Sequence, residues 1–368
     1  MTVLMTGLTG ILGSVIGPAL EESAFFLVRN GENNPRIPSG IDPERIIEGD
    51  ITKPFCGVSP GNLDYLRKAG IDRFLHLAAN VSFAVVDDNG DIWKDNFVGT
   101  QNALALAKEL GVKEFLYCST AFAPDKRNPY EKSKMAAEEL VTRSGMKYDI
   151  FRPSAMVGDS ETGYTADFNG YYGVYIYFHM LAEKARDENE KMIVPIPVYV
   201  VCSSASTINL ITLDWVKHTM LALLKKPVSG AVYYLAHDNP PNVREVMSRG
   251  FDILGVSGVK YLEKPVSEEE KKGLYEGNDL PEIVRSRIDV ILERYIPYVT
   301  FERKFSLETV KSALGGEFRE PPAITDNLLV LLLSYAMEKN FGHLRRKRAG
   351  IKPQPQSGNF IHKTASVG

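Results

Sequence analysis

The chain opens with a short apolar strand pattern that runs directly into three glycines at three-residue spacing, Val3-Leu4-Met5-Thr6-Gly7-Leu8-Thr9-Gly10-Ile11-Leu12-Gly13. At a strand–helix junction, the first such glycine permits a tight turn and the second lets backbone N–H groups approach a pyrophosphate. The third lets the helix pack closely on the sheet. The free N–H groups and partial positive charge of the helix N-terminus then attract phosphate. A glycine-rich turn without a ligand is the plain alternative, but this position favours a dinucleotide site.

Apolar segments alternate with helical patterns through the first half of the chain, which predicts an α/β fold with a doubly wound parallel sheet. The predicted strands are Thr2–Met5, Phe25–Val28, Ile46–Glu48, Phe74–Leu77, Phe115–Cys118 and Tyr148–Phe151. Helical patterns include Asn96–Leu110 and Tyr130–Ser144. Ligands of such sheets bind at the carboxyl ends of the strands. The motifs described below all follow a predicted strand or begin the next helix.

The second half is less regular. Prolines in Ile193-Val194-Pro195-Ile196-Pro197-Val198 predict turns. Strands are predicted at Thr207–Leu213 and Gly230–Leu235, with a helix at Leu213–Leu224, and residues 240–340 are predicted to be mainly helical. We therefore expect a Rossmann-type domain over residues 1–157, with 203–238 returning to it. A smaller, mainly helical substrate-binding lobe would take 158–202 and 239–345, and a flexible basic tail 346–368.

Composition sets limits on partners and location. The 368 residues are 44% hydrophobic and 24% charged with a net charge of −3, so no nucleic-acid partner is expected. Cys56, Cys118 and Cys202 are widely separated and form no CxxC, which predicts reduced thiols in a cytoplasmic protein. A strand starting near residue 3 leaves no room for a targeting peptide. The longest apolar run, Leu328–Leu333, is too short to span a bilayer. It predicts lobe core or a dimer interface, with a helix cap at Thr325 or Asp326.

A second motif is Tyr130-Glu131-Lys132-Ser133-Lys134, in which Tyr130 and Lys134 lie four residues apart on one helical face. A free tyrosine has a pKa near ~10, and a neighbouring ammonium lowers it, so this pair predicts a proton-transfer device. The preceding strand ends in Ser119 and Thr120, whose hydroxyls can bond a substrate carbonyl. Thr120 is the first choice for that role. A solvated helical face and a capping hydroxyl are the respective alternatives.

Together these segments resemble an extended short-chain dehydrogenase/reductase. The resemblance rests on TGLTGILG at 6–13, GDIT at 49–52, HLAA at 76–79, NFVGTQNAL at 96–104, STA at 119–121, YEKSK at 130–134 and RPS at 152–154. The order and spacing match over roughly residues 1–160. Within the superfamily, residues 76–83 and 118–122 look most like the fatty acyl-CoA reductase (male-sterility) and thioester reductase group.

The resemblance implies a role for each matching residue. Thr120 would be the catalytic hydroxyl, Tyr130 the proton donor, and Lys134 the group that holds the ribose and lowers the tyrosine pKa. Asn96 would anchor its helix. The cofactor site would comprise Gly7, Thr9, Gly10, Ile11, Leu12, Gly13, Asp50, Ile51, Ala78, Ala79, Asn80, Pro153 and Ser154, with Tyr130 and Lys134.

The end of the second strand bears on the cofactor. A carboxylate there would accept the ribose 2′-hydroxyl of NAD, whereas this sequence has Arg29 with no acidic residue beside it. A guanidinium matches a 2′-phosphate, so Arg29 predicts NADP(H). A surface arginine without this role is the alternative.

Several reactions remain open at this stage. The resemblance favours hydride transfer to an acyl thioester, giving an aldehyde or alcohol, with a lipid-like or other carbonyl substrate presented on coenzyme A or a carrier protein. Only residues 121–129 separate Thr120 from Tyr130, a shorter segment than acyl reductases usually carry. The alternatives are a sterol-dehydrogenase-like ketone/alcohol oxidoreductase, a sugar-nucleotide epimerase or dehydratase, and a non-catalytic NADPH-sensing scaffold.

Other features leave two interpretations each. Aromatic residues at Tyr171, Tyr172, Tyr175, Tyr177 and Phe178 predict either an acyl channel or an aromatic core, and a homodimer is a further prediction. The six histidines form no metal motif, so no metal is expected. The basic run Arg345–Arg348 predicts a solvated tail, with docking to an acidic carrier or to coenzyme A phosphates as the alternative.

Overall fold

The computed structural model describes residues 1–82, 90–189, 193–274, 281–300 and 302–342. The basic run Arg345–Arg348 and the predicted tail lie outside the described residues. The strands are β1 Val3–Thr6, β2 Ala24–Val28, β3 Ile46–Glu48, β4 Arg73–His76, β5 Glu114–Cys118, β6 Lys147–Pro153, β7 Ala155–Val157, β8 Val194–Val201, β9 Leu210–Thr212, β10 Val232–Leu235 and β11 Val256–Leu262.

The helices alternate with these strands in the first half and dominate the second. The helices are α1 Gly13–Leu20, α2 Pro60–Ala69, α3 Asp91–Trp93, α4 Gly99–Glu109, α5 Pro129–Thr142, α6 Tyr171–Asn189, α7 Leu213–Leu223, α8 Val243–Leu254, α9 Glu268–Leu274, α10 Glu282–Val299, α11 Glu308–Leu314 and α12 Asp326–Glu338. A π-helical stretch, Lys94–Val98, joins α3 to α4.

The main sheet has seven strands among the described residues, in the order β10-β6-β5-β4-β1-β2-β3, and every pair is parallel. Successive side chains of a strand point to opposite faces. In β1, Val3 and Met5 therefore pack in the core under α1 and α7, whereas Leu4 packs in the core on the other face. Burial on both faces explains the continuous apolar runs. The predicted doubly wound α/β fold is confirmed.

The second half holds a strand that the sequence analysis missed. Strand β8, Val194–Val201, contains both prolines that were predicted to mark turns, and it pairs in parallel with β11. Its residues alternate, with Val194, Ile196 and Val198 buried and Pro195 exposed. Proline lacks an N–H donor but is tolerated where one edge of a strand is unpaired. Each strand of this two-stranded sheet has such an edge.

Aromatic side chains form the core of the C-terminal half. Tyr171, Tyr172, Tyr175 and Phe178 are at most 5% exposed and contact one another or Phe251 mostly edge to face. This geometry is the favoured one for ring pairs. Their packing is that of an aromatic core. The apolar run Leu328–Leu333 joins the same core, on a helix capped by Thr325.

Two later segments return to the main sheet. Strand β10 completes its edge, and Val310 and Leu314 of α11 pack in the core shared by α1, α7 and β10. The apolar face of α11 thus covers the main sheet. None of the helices in the described ranges is long and apolar enough to cross a membrane.

Candidate active site

The glycine turn after β1 is shaped by close backbone contacts. Gly7 has φ +83°, and a Cβ there would lie 2.6 Å from the Ala78 nitrogen. A Cβ on Gly13 would overlap the Gly7 carbonyl oxygen. Gly10 is less crowded, since its Cβ would come only within 3.3 Å of that oxygen. Packing within the protein therefore requires Gly7 and Gly13 to be glycine. At the start of α1, the Ser14 N–H donates to the Gly10 carbonyl at 2.9 Å and the Ile16 N–H donates to the Leu12 carbonyl at 3.0 Å.

The other residues of this turn differ in exposure. Leu12 is buried in the core beneath the sheet, so only its backbone is available to a phosphate. Ile11 packs against the same core and is half-buried, as is Thr9.

The segment after β4 lies beside this turn. The Ala78 N–H donates to Thr6 Oγ1 at 3.2 Å, and the Asn80 N–H donates to Asn96 Oδ1 at 2.7 Å. Asn96 Nδ2 donates in turn to the Asn80 carbonyl and to Ser133 Oγ, at 2.9 and 3.0 Å. Asn96 is 1% exposed. Its geometry is that of an anchor, which ties residues 78–80 to helix α5.

Arg29 lies at the carboxyl end of β2 and is 60% exposed. Its guanidinium is 3.5 Å from Asp50 Oδ1, so the fold brings a carboxylate beside Arg29 that neighbouring sequence did not provide. Burial raises the pKa of Asp50, but hydrogen bonds from Thr52 and the charge of Arg29 outweigh it and the pKa is lowered overall. Ile51 packs in the sheet core, and its carbonyl accepts from Asn102 at 2.7 Å.

Thr120, Tyr130 and Lys134 come together at the carboxyl end of β5. They are 6%, 9% and 2% exposed. The hydroxyls of Tyr130 and Thr120 are hydrogen-bonded to each other. Lys134 Nζ donates to the Cys118 carbonyl at 2.5 Å and lies 4.4 Å from the centre of the Tyr117 ring. The catalytic residues expected from the sequence thus share one small region.

Burial dominates the electrostatics of this region. It raises the pKa of Tyr130, a shift that the Thr120 hydrogen bond opposes. It lowers the pKa of Lys134 to about 8, against the charges of Cys118 and Glu138. We expected Lys134 to lower the tyrosine pKa, but in the protein alone the net shift is upward. Tyr130 is therefore protonated at neutral pH, which suits a proton donor.

His76 lies behind the site and is fully buried. Its ring nitrogens contact Thr6 Oγ1 at 2.7 Å and Thr100 Oγ1 at 3.1 Å. Burial, with Lys134 as a second cause, lowers the pKa of His76 to about 3. It is neutral at physiological pH and joins β4 to β1 and α4. No group of three potential metal ligands occurs among the described residues.

Two buried hydroxyls border the site without a hydrogen-bond partner in the described part of the chain, Ser119 Oγ and Ser154 Oγ. Pro153 precedes Ser154, and its carbonyl accepts from the Ala121 N–H at 2.9 Å. Unsatisfied buried polar atoms are costly. The two hydroxyls therefore mark places where a bound molecule would gain hydrogen bonds.

A buried cluster beside Tyr130 had no sequence signal. Arg127 lies in the short segment after Thr120, Glu131 lies in α5, and Tyr298 lies in α10. The sequence separation of 167 residues between Glu131 and Tyr298 hides this contact from local patterns.

A family model described as the NAD dependent epimerase/dehydratase family matches residues 3–172. This part of the chain is similar to that family. The resemblance to extended short-chain dehydrogenase/reductases is thereby confirmed for the domain that carries the glycine turn and the Thr120–Tyr130–Lys134 group.

Two curated relatives match parts of this chain. A PKS-NRPS, trichosetin synthetase of Gibberella fujikuroi, is 38% identical over 88 residues, which cover 23% of this chain and 2% of that protein. A 3β-hydroxysteroid dehydrogenase/Δ5→4-isomerase of monkeypox virus is 32% identical over 125 residues, covering 28% and 36%. The matches thus span only a small part of either relative.

Solved structures resemble the fold across both halves. The terminal R domain from the myxalamid PKS-NRPS pathway has a TM-score of 0.67 at 22% identity and covers 92% of this chain and 91% of that one. An archaeal thiolation-reductase di-domain has a TM-score of 0.65 at 19% identity, covering 92% and 76%. RMD from Pseudomonas aeruginosa, complexed with NADPH, has 0.55 at 17% identity, covering 91% and 98%.

Proposed function

We propose that this protein is an NADPH-dependent reductase that uses Tyr130 as proton donor and acts on an acyl thioester. The observation that carries the proposal is the meeting of Thr120, Tyr130 and Lys134 at the carboxyl edge of a sheet whose first turn is a glycine cradle. The proposal keeps the two-part organisation, with a cofactor-binding sheet domain and a substrate-binding lobe.

The residues present fit a nicotinamide cofactor. The turn that contains Gly7, Gly10 and Gly13 would bring a pyrophosphate to the N-terminus of α1, with Thr9, Ile11 and Leu12 supplying turn backbone. Ser154, following Pro153, offers an unsatisfied hydroxyl near the expected nicotinamide. The adenosine side would be formed by Asp50, Ile51, Ala78, Ala79 and Asn80. Such a cofactor supplies a hydride when bound.

Reduction of a thioester carbonyl adds hydride to the carbon and a proton to the oxygen, and loss of the thiol then leaves an aldehyde. Tyr130 would give that proton, because its raised pKa keeps the hydroxyl protonated at neutral pH. Thr120 would hold the carbonyl oxygen through its hydroxyl. Lys134 would hold the ribose, and its contact with the Cys118 carbonyl fixes the side chain in place.

The likeness in fold to two reductase domains of peptide and polyketide synthetases supports a thioester substrate. One of these neighbours is joined to a thiolation domain, which supports presentation on a carrier. Arg29 supports NADPH over NADH, since a guanidinium can bind a 2′-phosphate bidentately. Asp50 already pairs with Arg29, so a 2′-phosphate would share the guanidinium with that carboxylate.

The test is an NADPH- and NADH-oxidation screen of the purified protein. Substrates are acyl-CoAs, acyl groups on a carrier protein, aldehydes, ketones and nucleotide sugars. Turnover of a thioester with NADPH is the expected result. Turnover of nucleotide sugars alone would contradict it.

A second candidate is a ketone/alcohol oxidoreductase that uses the same three residues. The similarity of part of this chain to a hydroxysteroid dehydrogenase favours it. In the same screen, oxidation of hydroxysteroids with no thioester turnover would select this candidate.

A further inference from the structure

The short segment between Thr120 and Tyr130 is held by a charge cluster around the buried carboxylate of Glu131. Arg127 donates from its guanidinium to Glu131 Oε1 at 2.7 Å and from its backbone N–H to Glu131 Oε2 at 2.8 Å. Glu131 is fully buried and follows Tyr130 directly in α5. Asn128 caps this helix, since its Oδ1 accepts from the Glu131 N–H at 2.9 Å. The carboxylate therefore fixes the first turn of the helix that carries Tyr130.

The last turn of α10 completes the cluster from the lobe. The Tyr298 hydroxyl donates to Glu131 Oε1 at 2.8 Å and accepts from Asn128 Nδ2 at 2.6 Å. The Arg127 guanidinium lies 4.2 Å from the centre of the Tyr298 ring and also donates to the Pro297 carbonyl. Arg127, Asn128 and Glu131 thus each have partners on both sides of the junction.

A second contact lies next to the cluster. Asp125 pairs with Arg127 at 3.2 Å and with Arg303, which follows α10. Phe122, two residues beyond Thr120, meets the Tyr298 ring edge to face at 5.3 Å and Phe305 at 5.7 Å. Four residues at or after the end of α10 therefore contact the short segment: Pro297, Tyr298, Arg303 and Phe305.

Such a cluster adds little net stability to the fold. Its main effect is to favour one arrangement of α5 and α10 over others. A buried carboxylate is costly to desolvate, and its cost is offset only while every partner stays in place. Removing one partner leaves a buried group unsatisfied. A small shift of α10 relative to α5 would therefore be resisted by several bonds together.

We propose that Arg127, Glu131 and Tyr298 are positioning residues, which hold the Tyr130 hydroxyl in its reactive place by locking α5 to α10. The inference rests on the proposed function for Tyr130 as proton donor. None of the three residues need touch the substrate or cofactor. Because α10 belongs to the lobe, the position of the proton donor then depends on the docking of the lobe.

The central experiment removes the Tyr298 hydroxyl with Tyr298→Phe, which keeps the ring beneath Arg127. We expect kcat to fall roughly tenfold, with the NADPH dissociation constant unchanged, because a small misplacement of a reacting group is costly to turnover. Glu131→Gln should lower kcat further, roughly 10- to 100-fold, since it also removes the charge that binds Arg127. The matched control is Tyr295→Phe on the same helix, whose hydroxyl donates instead to the Gly170 carbonyl at 3.0 Å.

The outcomes separate this inference from the proposed function. Unchanged kcat in folded Tyr298→Phe, or an equal loss in Tyr295→Phe, would overturn the positioning role while leaving the reductase intact. If the wild-type protein reduces no substrate, the proposed function fails, and backbone hydrogen exchange still tests the lock. Tyr298→Phe should then speed exchange in residues 122–131, and Tyr295→Phe should not. Equal exchange in both variants would overturn the lock as well.

Discussion

The sheet edge and the lobe are both well buried, but by different kinds of contact. At the sheet edge, polar side chains such as His76, Asn96 and Lys134 are buried and held by short hydrogen bonds. In the lobe, Tyr175 and Phe178 pack among other rings. Apolar packing accepts replacements of similar volume, whereas a buried polar group tolerates no loss of its partner. Chemistry should therefore be sensitive to single atoms at the sheet edge, and the lobe should be more tolerant.

The largest expected effect is that of one atom at the sheet edge. Tyr130→Phe deletes the hydroxyl and keeps the ring, so the turnover rate should fall roughly 10²–10⁴-fold, as expected for a positioned acid. Cofactor affinity and the unfolding temperature should change little. Steady-state kinetics with a fluorescence titration of NADPH measures both. Tyr65→Phe, at a residue 45% exposed, is the control. Full activity in Tyr130→Phe would remove the proposed proton donor.

The next effect compares one glycine from each region. Gly13→Ala should push the turn off its path, because the added methyl meets backbone that cannot rotate away. We expect roughly 100-fold weaker cofactor binding, equivalent to about 3 kcal/mol, because the displaced turn no longer presents its N–H groups to the pyrophosphate. Titration of the cofactor measures this loss.

Gly250→Ala in α8 is the matched lobe variant. Its methyl meets the Tyr175 hydroxyl end of a ring in the lobe core. It should lower the unfolding temperature and leave cofactor affinity within about twofold, since the overpacking is confined to the lobe. Equal loss of cofactor binding in both variants would show that the two regions are not separable in this way.

A smaller effect concerns the choice of cofactor. Arg29→Ala should weaken NADPH binding roughly 10- to 100-fold, the range for a lost charged hydrogen bond, and leave NADH binding nearly unchanged. Arg45→Ala, before the amino end of β3, provides a matched control. Parallel titrations with both cofactors decide the matter. A wild-type preference for NADH, or equal losses, would remove the NADP assignment.

The smallest effect is in the pH dependence. Since the pKa of Lys134 is lowered to about 8, kcat/KM should fall as pH rises through 8 and the ammonium is lost, by roughly tenfold for each further unit. Unfolding would not cause this loss of activity. The pKa of lysine in the unfolded chain is ~10.4, so between pH 8 and this value the unfolded state binds more protons than the folded state, and the contribution of Lys134 to stability rises with pH. The titratable groups near Lys134 are His76, Tyr117, Cys118, Tyr130 and Glu138.

The matched variant is Lys134→Arg, whose charge persists at every accessible pH. Its remaining activity should show no decline near pH 8. Profiles between about pH 6.5 and 9.5, with circular dichroism at each point, measure this. A flat wild-type profile would contradict the lysine's assigned role.

The sequence was most informative where short-range rules apply. Gly7 and Gly13 predicted the turn, because any side chain at these positions would overlap neighbouring backbone. Tyr130 and Lys134 were predicted to share a face, because residues four apart are neighbours on a helix. The turns predicted from Pro195 and Pro197 were wrong. Both prolines lie in a strand that is unpaired on one side, where proline is tolerated, and the side chains of this strand alternate in burial. The contact of Glu131 with Tyr298 joins residues 167 positions apart, and no local pattern encodes it. The roles of all the site residues, including those that meet at β5, stay predictions.

The return of α11 to the sheet has a consequence for synthesis. Val310 and Leu314 close the same apolar layer that Val3 and Met5 begin. During synthesis, β1 leaves the ribosome long before α11. The apolar layer that both elements share is therefore complete only after α11 has been made. In the interval that face of the sheet stays exposed, and the part of the lobe that precedes α11 lies between two segments that pack on the sheet. Truncation before residue 308 should therefore destabilise the N-terminal strands of the sheet, in addition to removing the C-terminal helices.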